Sequence, residues 1–131
     1  MEGHFEFEFG SVWIVPDQEI KFPSSDRTKK RRLHKGRWVV VVSNDENNHN
    51  PIYPTVLVAP CSHKIQFKKP HDVLLDPSTD NVEVNCMAMI SQIQPILKSD
   101  LVEYKGLISE SARQELISSI VDYFGITPLF E

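Results

Sequence analysis

Cysteine is scarce in this sequence: Cys61 and Cys86 are the whole supply, and they form no CxxC pair. That excludes a disulfide-framework fold and points to a reducing compartment. Long apolar runs are missing too, since residues 38–42 and 55–59 fall far short of the roughly 20 residues needed to cross a bilayer. No N-terminal stretch joins a basic start, an apolar run and a small-residue cleavage site. The expectation is a soluble cytoplasmic protein without membrane contact. An excess of positive charge is likewise lacking, with a formal net charge of -4, so any nucleic-acid binding must come from a local patch. The five histidines show no HExxH or comparable ligand spacing, and Cys61-x-His63 is too small a fragment for a metal site or a nucleophile pair. Neither a metal nor a cofactor is expected.

What is present suits one domain over residues 1–131: 40% of the 131 residues are hydrophobic, enough for one core but not for two. Phe5, Phe7 and Phe9 alternate with Glu6 and Glu8, and apolar residues continue through Val15, a period-two pattern that predicts a strand ended by Pro16. Residues 1–8 are expected to lengthen that strand or form an exposed tail. From residue 16 to residue 35 no apolar period survives, which predicts a long surface loop. The unbroken β-branched run at 38–42 reads as a central strand covered on both faces, and 55–59 as another, stopped by Pro60. Shorter strands are expected at 65–67 and 84–90, turn chemistry at 76–81, and short strands or 3₁₀ pieces at 92–97 and 101–103.

The clearest helix follows Gly106. Ser109 or Ser111 can cap it, with Gln114 completing a capping box from Ser111. Ala112, Leu116, Ile117, Ile120, Val121 and Phe124 share one stripe, and Gly125 and Pro128 end it. Strands separated by loops and followed by one amphipathic helix predict a mainly β fold, a small twisted barrel or half-barrel closed by the C-terminal helix.

Three segments carry a more specific signal. Phe9-Gly10-Ser11-Val12-Trp13, then residues 36–45 opening Gly36-Arg37-Trp38, then residues 54–62 ending Ala59-Pro60-Cys61-Ser62, resemble in order the strand motifs of the MazF/PemK toxins, and Ser91-Gln92-Ile93 and the terminal helix continue the match. The resemblance implies an SH3-like barrel that forms a homodimer, cleaves single-stranded RNA, and is neutralised by a cognate antitoxin with an acidic C-terminal tail. It also implies that Arg37 and Ser62 are the catalytic arginine and hydroxyl. Taken alone, Arg37 would read as a surface arginine at a strand start and Ser62 as a turn residue. Their chemistry is nonetheless suitable: RNA is cut without a metal when its own 2′-hydroxyl attacks the adjacent phosphorus, and the enzyme then stabilises the phosphorane and moves protons. A planar, permanently charged guanidinium matches two phosphate oxygens, and a hydroxyl donates to the same group.

Arg27, Lys29, Lys30, Arg31, Arg32 and Lys35 concentrate positive charge in the loop before Arg37, a candidate flap that would hold an RNA backbone by phosphate contacts. Trp13 or Trp38 could stack on bases, against the plainer reading that each belongs to the core. For proton transfer, His34 in the flap and Asp45 are the candidates. The match departs from the family at Trp38, where proline is usual, and at Gln92-Ile93-Gln94-Pro95, which lacks the arginine of a Gln-x-Arg motif. Two other functions stay open: a CcdB-like poison of DNA gyrase on the same fold class, and an inactive RNA-binding relative.

Overall fold

The computed structural model describes residues 7–28, 33 and 35–126. Seven strands form a curled antiparallel half-barrel: β1 (Ser11–Val15), β2 (Arg37–Val41), β3 (Thr55–Ser62), β4 (Val73–Leu75), β5 (Cys86–Ala88), β6 (Gln94–Leu97) and β7 (Glu103–Leu107). They pair in the order β4-β5-β3-β2-β1-β7, with β6 joining β3 off this path. Among the described residues three α-helices accompany them, α1 (Pro23–Thr28), α2 (Asp45–Asn48) and α3 (Glu110–Tyr123).

The run expected to lie at the centre does so, because its side chains leave both faces. Val40 joins one core with Val12, Ala59, Val73, Ala88 and Leu116, whereas Val39 and Val41 join another with Trp13, Val15, Ile20, Val58 and Ile96. Helix α3 covers the first core. Ser109 caps it by accepting from the Ala112 N–H at 3.1 Å, while Gln114 bonds to Glu110, so Ser109 rather than Ser111 starts the helix. Leu116, fully buried, contributes about 1.5–3 kcal/mol. The stripe is narrower than its spacing suggests: Val121 and Phe124 are exposed, where the helix runs past the core. His71, bonded to Asp122 at 2.6 Å and edge-on to Tyr123, ties down that last turn. At the other end Asp80 accepts from the Ser109 and Asp76 N–H groups, both at 2.8 Å.

Several expectations need correction. Phe5 and Glu6 lie outside the described residues, and the alternation around Phe7 and Phe9 is not strand. Phe7 takes a positive φ of 62°, and the Ser11 hydroxyl donates to the Glu8 carbonyl, so β1 begins only at Ser11. Residues 65–67 form a 3₁₀ turn rather than a strand. The expected strand over 84–90 shrinks to Cys86–Ala88. Segment 16–35 is not simply a surface loop. It opens with a 3₁₀ turn at Asp17–Glu19, buries Asp17 and Ile20, and continues into α1. Gln94 fastens this segment to β6: its side-chain amide donates to the Lys21 carbonyl at 3.0 Å and accepts from the Lys21 N–H at 2.8 Å. Two such bonds to one residue imitate a rung of sheet.

Candidate functional site

Arg37 opens β2 and Ser62 closes β3, and these two strands are antiparallel neighbours. Val40 faces Ala59 and Val39 faces Pro60, where this ladder ends; Arg37 lies two residues back along β2, paired with Val15 of β1, and Ser62 two residues on along β3, paired with Met87 of β5. The two residues singled out for catalysis lie at the same end of neighbouring strands, and the Arg37 guanidinium reaches the carbonyl of Cys61, next to Ser62.

Three contacts hold the Arg37 guanidinium. Its Nε donates to Asp17 Oδ1 at 3.0 Å, its Nη1 donates to the Cys61 carbonyl at 3.1 Å, and its carbon lies 4.9 Å from the centre of the Phe22 ring. The Asp17 side chain is 0% exposed and that of Arg37 only 13%. A charge so placed keeps one orientation, and among the described residues nothing takes a bond from Nη2, which remains to meet an incoming anion. On the Ser62 side, the hydroxyl oxygen accepts from the Lys64 N–H at 3.2 Å. With a lone pair occupied in this way, the hydroxyl proton is left to donate elsewhere.

Openings flank the pair. One, of about 230 Å³, is lined by Arg37, Trp38, Cys61, His63, Glu83 and Val84. The other, of about 430 Å³, is lined by Ser62, Phe22, Lys64, Phe67, Lys69 and Met89 among others. Phe22 thus touches both ends of the pair, under the guanidinium and in the wall of the Ser62 opening. A third opening, about 520 Å³, runs along β6 beside Gln94 and Lys21 and adjoins the Ser62 opening through Pro23, Ser91 and Gln92.

Of the two buried thiols, Cys61 is not a nucleophile in waiting. The pKa of Cys61 is pushed well up, first by its hydrogen bond with Cys86 and then by burial, against the lowering pull of Arg37. Cys86 shifts down through the same bond. A protonated Cys61 serves packing.

The remaining candidates separate. Asp45 lies beyond the far end of β2 from Arg37, at the start of α2, where its carboxylate accepts from the Phe9 N–H at 2.6 Å. The structure does not bring it to the pair; it is a tie between a helix start and the N-terminal turn. Arg27, at the end of α1, and Lys35, just before β2, are exposed. Lys29, Lys30, Arg31, Arg32 and His34 lie outside the described residues. Trp13 is core, its Nε1 donating to Ser11 Oγ at 3.0 Å between Phe7 and Tyr104. Trp38 is half-buried with the Lys105 ammonium 5.2 Å from its ring centre.

Sequence reasoning missed two features. Asp17 carries no spacing signal that would pair it with Arg37; only the folded segment brings them together. The other was legible: between His63 and His71 stand three lysines, Lys64, Lys68 and Lys69, with Phe67 among them and no acidic residue. That is a second basic stretch, directly after Ser62. Among the described residues no group of three or more acidic, histidine or cysteine side chains could hold a metal ion, and no helix is long and apolar enough to cross a membrane.

The class the fold defines is a small, curled antiparallel half-barrel closed by a C-terminal helix. The profile of PemK-like, MazF-like toxins of type II toxin-antitoxin systems matches residues 9–124, and the chain belongs to that family. No curated protein matches the sequence. Solved structures share the fold at low identity. An endoribonuclease from a Mycobacterial species aligns with a TM-score of 0.65 and 15% identity, over 92% of this chain and 94% of that one. The Mycobacterium tuberculosis toxin MazF-mt6 aligns with 0.66 and 18%, over 90% and 99%. A MazE-MazF complex from Deinococcus radiodurans aligns with 0.63 and 12%, over 92% and 96%.

Proposed function

We propose that this chain is the toxin of a type II toxin-antitoxin system and acts as a metal-independent endoribonuclease on single-stranded RNA. The observation that supports this reading is the Arg37 guanidinium held by Asp17, Phe22 and the carbonyl of Cys61, the residue next to Ser62. In the proposed reaction the 2′-oxygen bonds to phosphorus, the bond from phosphorus to the 5′-oxygen breaks, and a cyclic phosphate and a 5′-hydroxyl result. Arg37 and Ser62 donate to the non-bridging oxygens, whose charge grows in the transition state. A proton leaves the 2′-hydroxyl and one arrives on the departing 5′-oxygen. His63, which lines the opening that holds Arg37, replaces Asp45 as the described candidate for this transfer, beside His34 in the flap.

The flap residues Arg27, Lys29, Lys30, Arg31, Arg32 and Lys35 would hold the RNA backbone. The active form would be a homodimer in the cytoplasm, silenced by a cognate antitoxin whose acidic tail competes for the RNA groove. Relatives described as an endoribonuclease with its cognate antitoxin and as MazE-MazF lend support to such a partner.

The test is incubation of purified protein with a long single-stranded RNA in EDTA, followed by mapping of the ends. Discrete cuts bearing 5′-hydroxyl termini are expected, slowed about 10²–10³-fold by Ser62→Ala. Intact RNA beside inhibited DNA gyrase, or salt-sensitive RNA binding without cleavage, would overturn the reading.

A further inference from the structure

We propose that the opening beside Ser62 is a nucleobase subsite, in which Phe67 stacks on an unpaired base of the RNA while Lys64 and Lys69 hold its phosphate. This inference rests on the nuclease reading above and adds to it a place where a base neighbouring the scissile phosphate is gripped.

Phe67 is the reason to look here. Its side chain belongs in a core, yet the residue is 66% exposed at the end of a 3₁₀ turn. The exposure is built in by the backbone. The Phe67 N–H donates to the Lys64 carbonyl at 3.0 Å and the Lys68 N–H to the Ile65 carbonyl at 3.1 Å. Next along the chain, the Lys69 N–H donates to the buried carboxylate of Asp72 at 2.9 Å, and the Asp72 N–H returns to the Lys69 carbonyl at 3.1 Å. Hydrogen bonds thus hold this turn on both sides of an outward aromatic ring. Met87, buried, and Met89, half-buried, line the same opening.

The charge around the ring selects the occupant. Lys64 and Lys69 line the opening with Phe67, Lys68 adjoins them, and Ser62 forms part of the wall. Interleaved cations and an exposed aromatic match a polyanion that carries flat rings, which describes single-stranded RNA. A second copy of this chain has exposed aromatic rings but no phosphate to place between Lys64 and Lys69 and no developing charge for Ser62 to meet. The volume of about 430 Å³ falls in the ordinary range for small-ligand sites. Stacking tolerates any base, so the subsite would grip a nucleotide without by itself fixing its identity.

The experiment uses the full chain and a fluorescent 12-nucleotide 2′-O-methyl RNA pool of random sequence, which lacks the attacking hydroxyl and stays intact. Binding is read by anisotropy across a salt series. Phe67→Ala and Phe67→Leu should each weaken binding roughly 5- to 100-fold, while Phe67→Tyr, which keeps the aromatic face, stays within about twofold of the parent. Lys69→Ala should lower the slope of log affinity against log salt by about 0.7. Unchanged binding by Phe67→Leu, in a protein whose parent still cuts RNA to 5′-hydroxyl ends, overturns the subsite and leaves the nuclease reading standing. A parent that binds no RNA overturns both. Unchanged RNA binding by Phe67→Leu together with loss of an acidic leucine-bearing peptide, or with loss of self-association in sedimentation, would assign the ring to a protein contact and reject the proposal.

Discussion

Cutting Arg37 back to alanine takes a cationic partner from an enclosed carboxylate. Asp17 is fully enclosed and bonded to Arg37 Nε at 3.0 Å, and the arginine itself is only 13% exposed. Removing one member of a buried ion pair typically costs about 3–5 kcal/mol, because the remaining charge loses its partner without regaining water. The variant also gives up a bond to the Cys61 carbonyl and the contact with the Phe22 ring. Partial exposure of the arginine argues for the lower half of that range, so a loss of about 3–4 kcal/mol is expected, a large share of the roughly 5–15 kcal/mol that holds a typical domain. With a urea slope of about 2 kcal/mol per molar, the unfolding midpoint should fall by roughly 1.5–2 M. The emission of the buried Trp13 provides the assay. Adding Asp17→Asn to Arg37→Ala should recover part of the loss, since the enclosed side chain then no longer carries a charge that has lost the guanidinium. An Arg37→Ala protein that unfolds at the parent midpoint would refute the reasoning, and with it the idea that the guanidinium is clamped. Inactivity of Arg37→Ala alone would therefore mix chemistry with folding, which is why Ser62→Ala is the cleaner probe of catalysis.

Two further outcomes follow from the titratable groups. Burial by itself raises the pKa of Asp80, but the bonds from the Ser109 and Asp76 N–H groups outweigh it and the net direction is down. A carboxylate depressed in the folded state adds stability above its unfolded pKa of about 3.9 and loses it as pH falls through the lower folded value. Asp80→Asn should lower stability near neutral pH and flatten the acid limb of a denaturation-versus-pH curve below about pH 4; an unchanged limb contradicts the assignment. For the thiols, burial and the raised pKa of Cys61 predict that iodoacetamide at neutral pH labels it only after unfolding, read by intact mass, and rapid native labelling would show that the pair is open to solvent.

Much of the fold was legible because it depends on short-range pattern. The β-branched run of β2 announced a strand buried on both faces, and Val39, Val40 and Val41 divide between two cores accordingly. The helix from Ser109 was marked by its cap and spacing, although only packing showed that its stripe ends before Val121. The N-terminal alternation misled because a turn around Phe7 imitates period two over a few residues. Of the candidate site, Arg37 and Ser62 were marked through family likeness and not through any local signal of their own. The basic stretch after Ser62 was written in the sequence and passed over for the denser one before Arg37.

By itself the sequence determined which residues could carry charge, cap a helix or fill a core, since those properties belong to single side chains and to near neighbours along the chain. Tertiary structure alone decided which of them meet. Arg37 and Asp17 are joined through a folded segment, Gln94 grips Lys21 from another strand, and Asp45 ends beyond the far end of β2. The physical reason is that strand register and loop closure set distances between residues far apart in sequence, and a site is made of those distances.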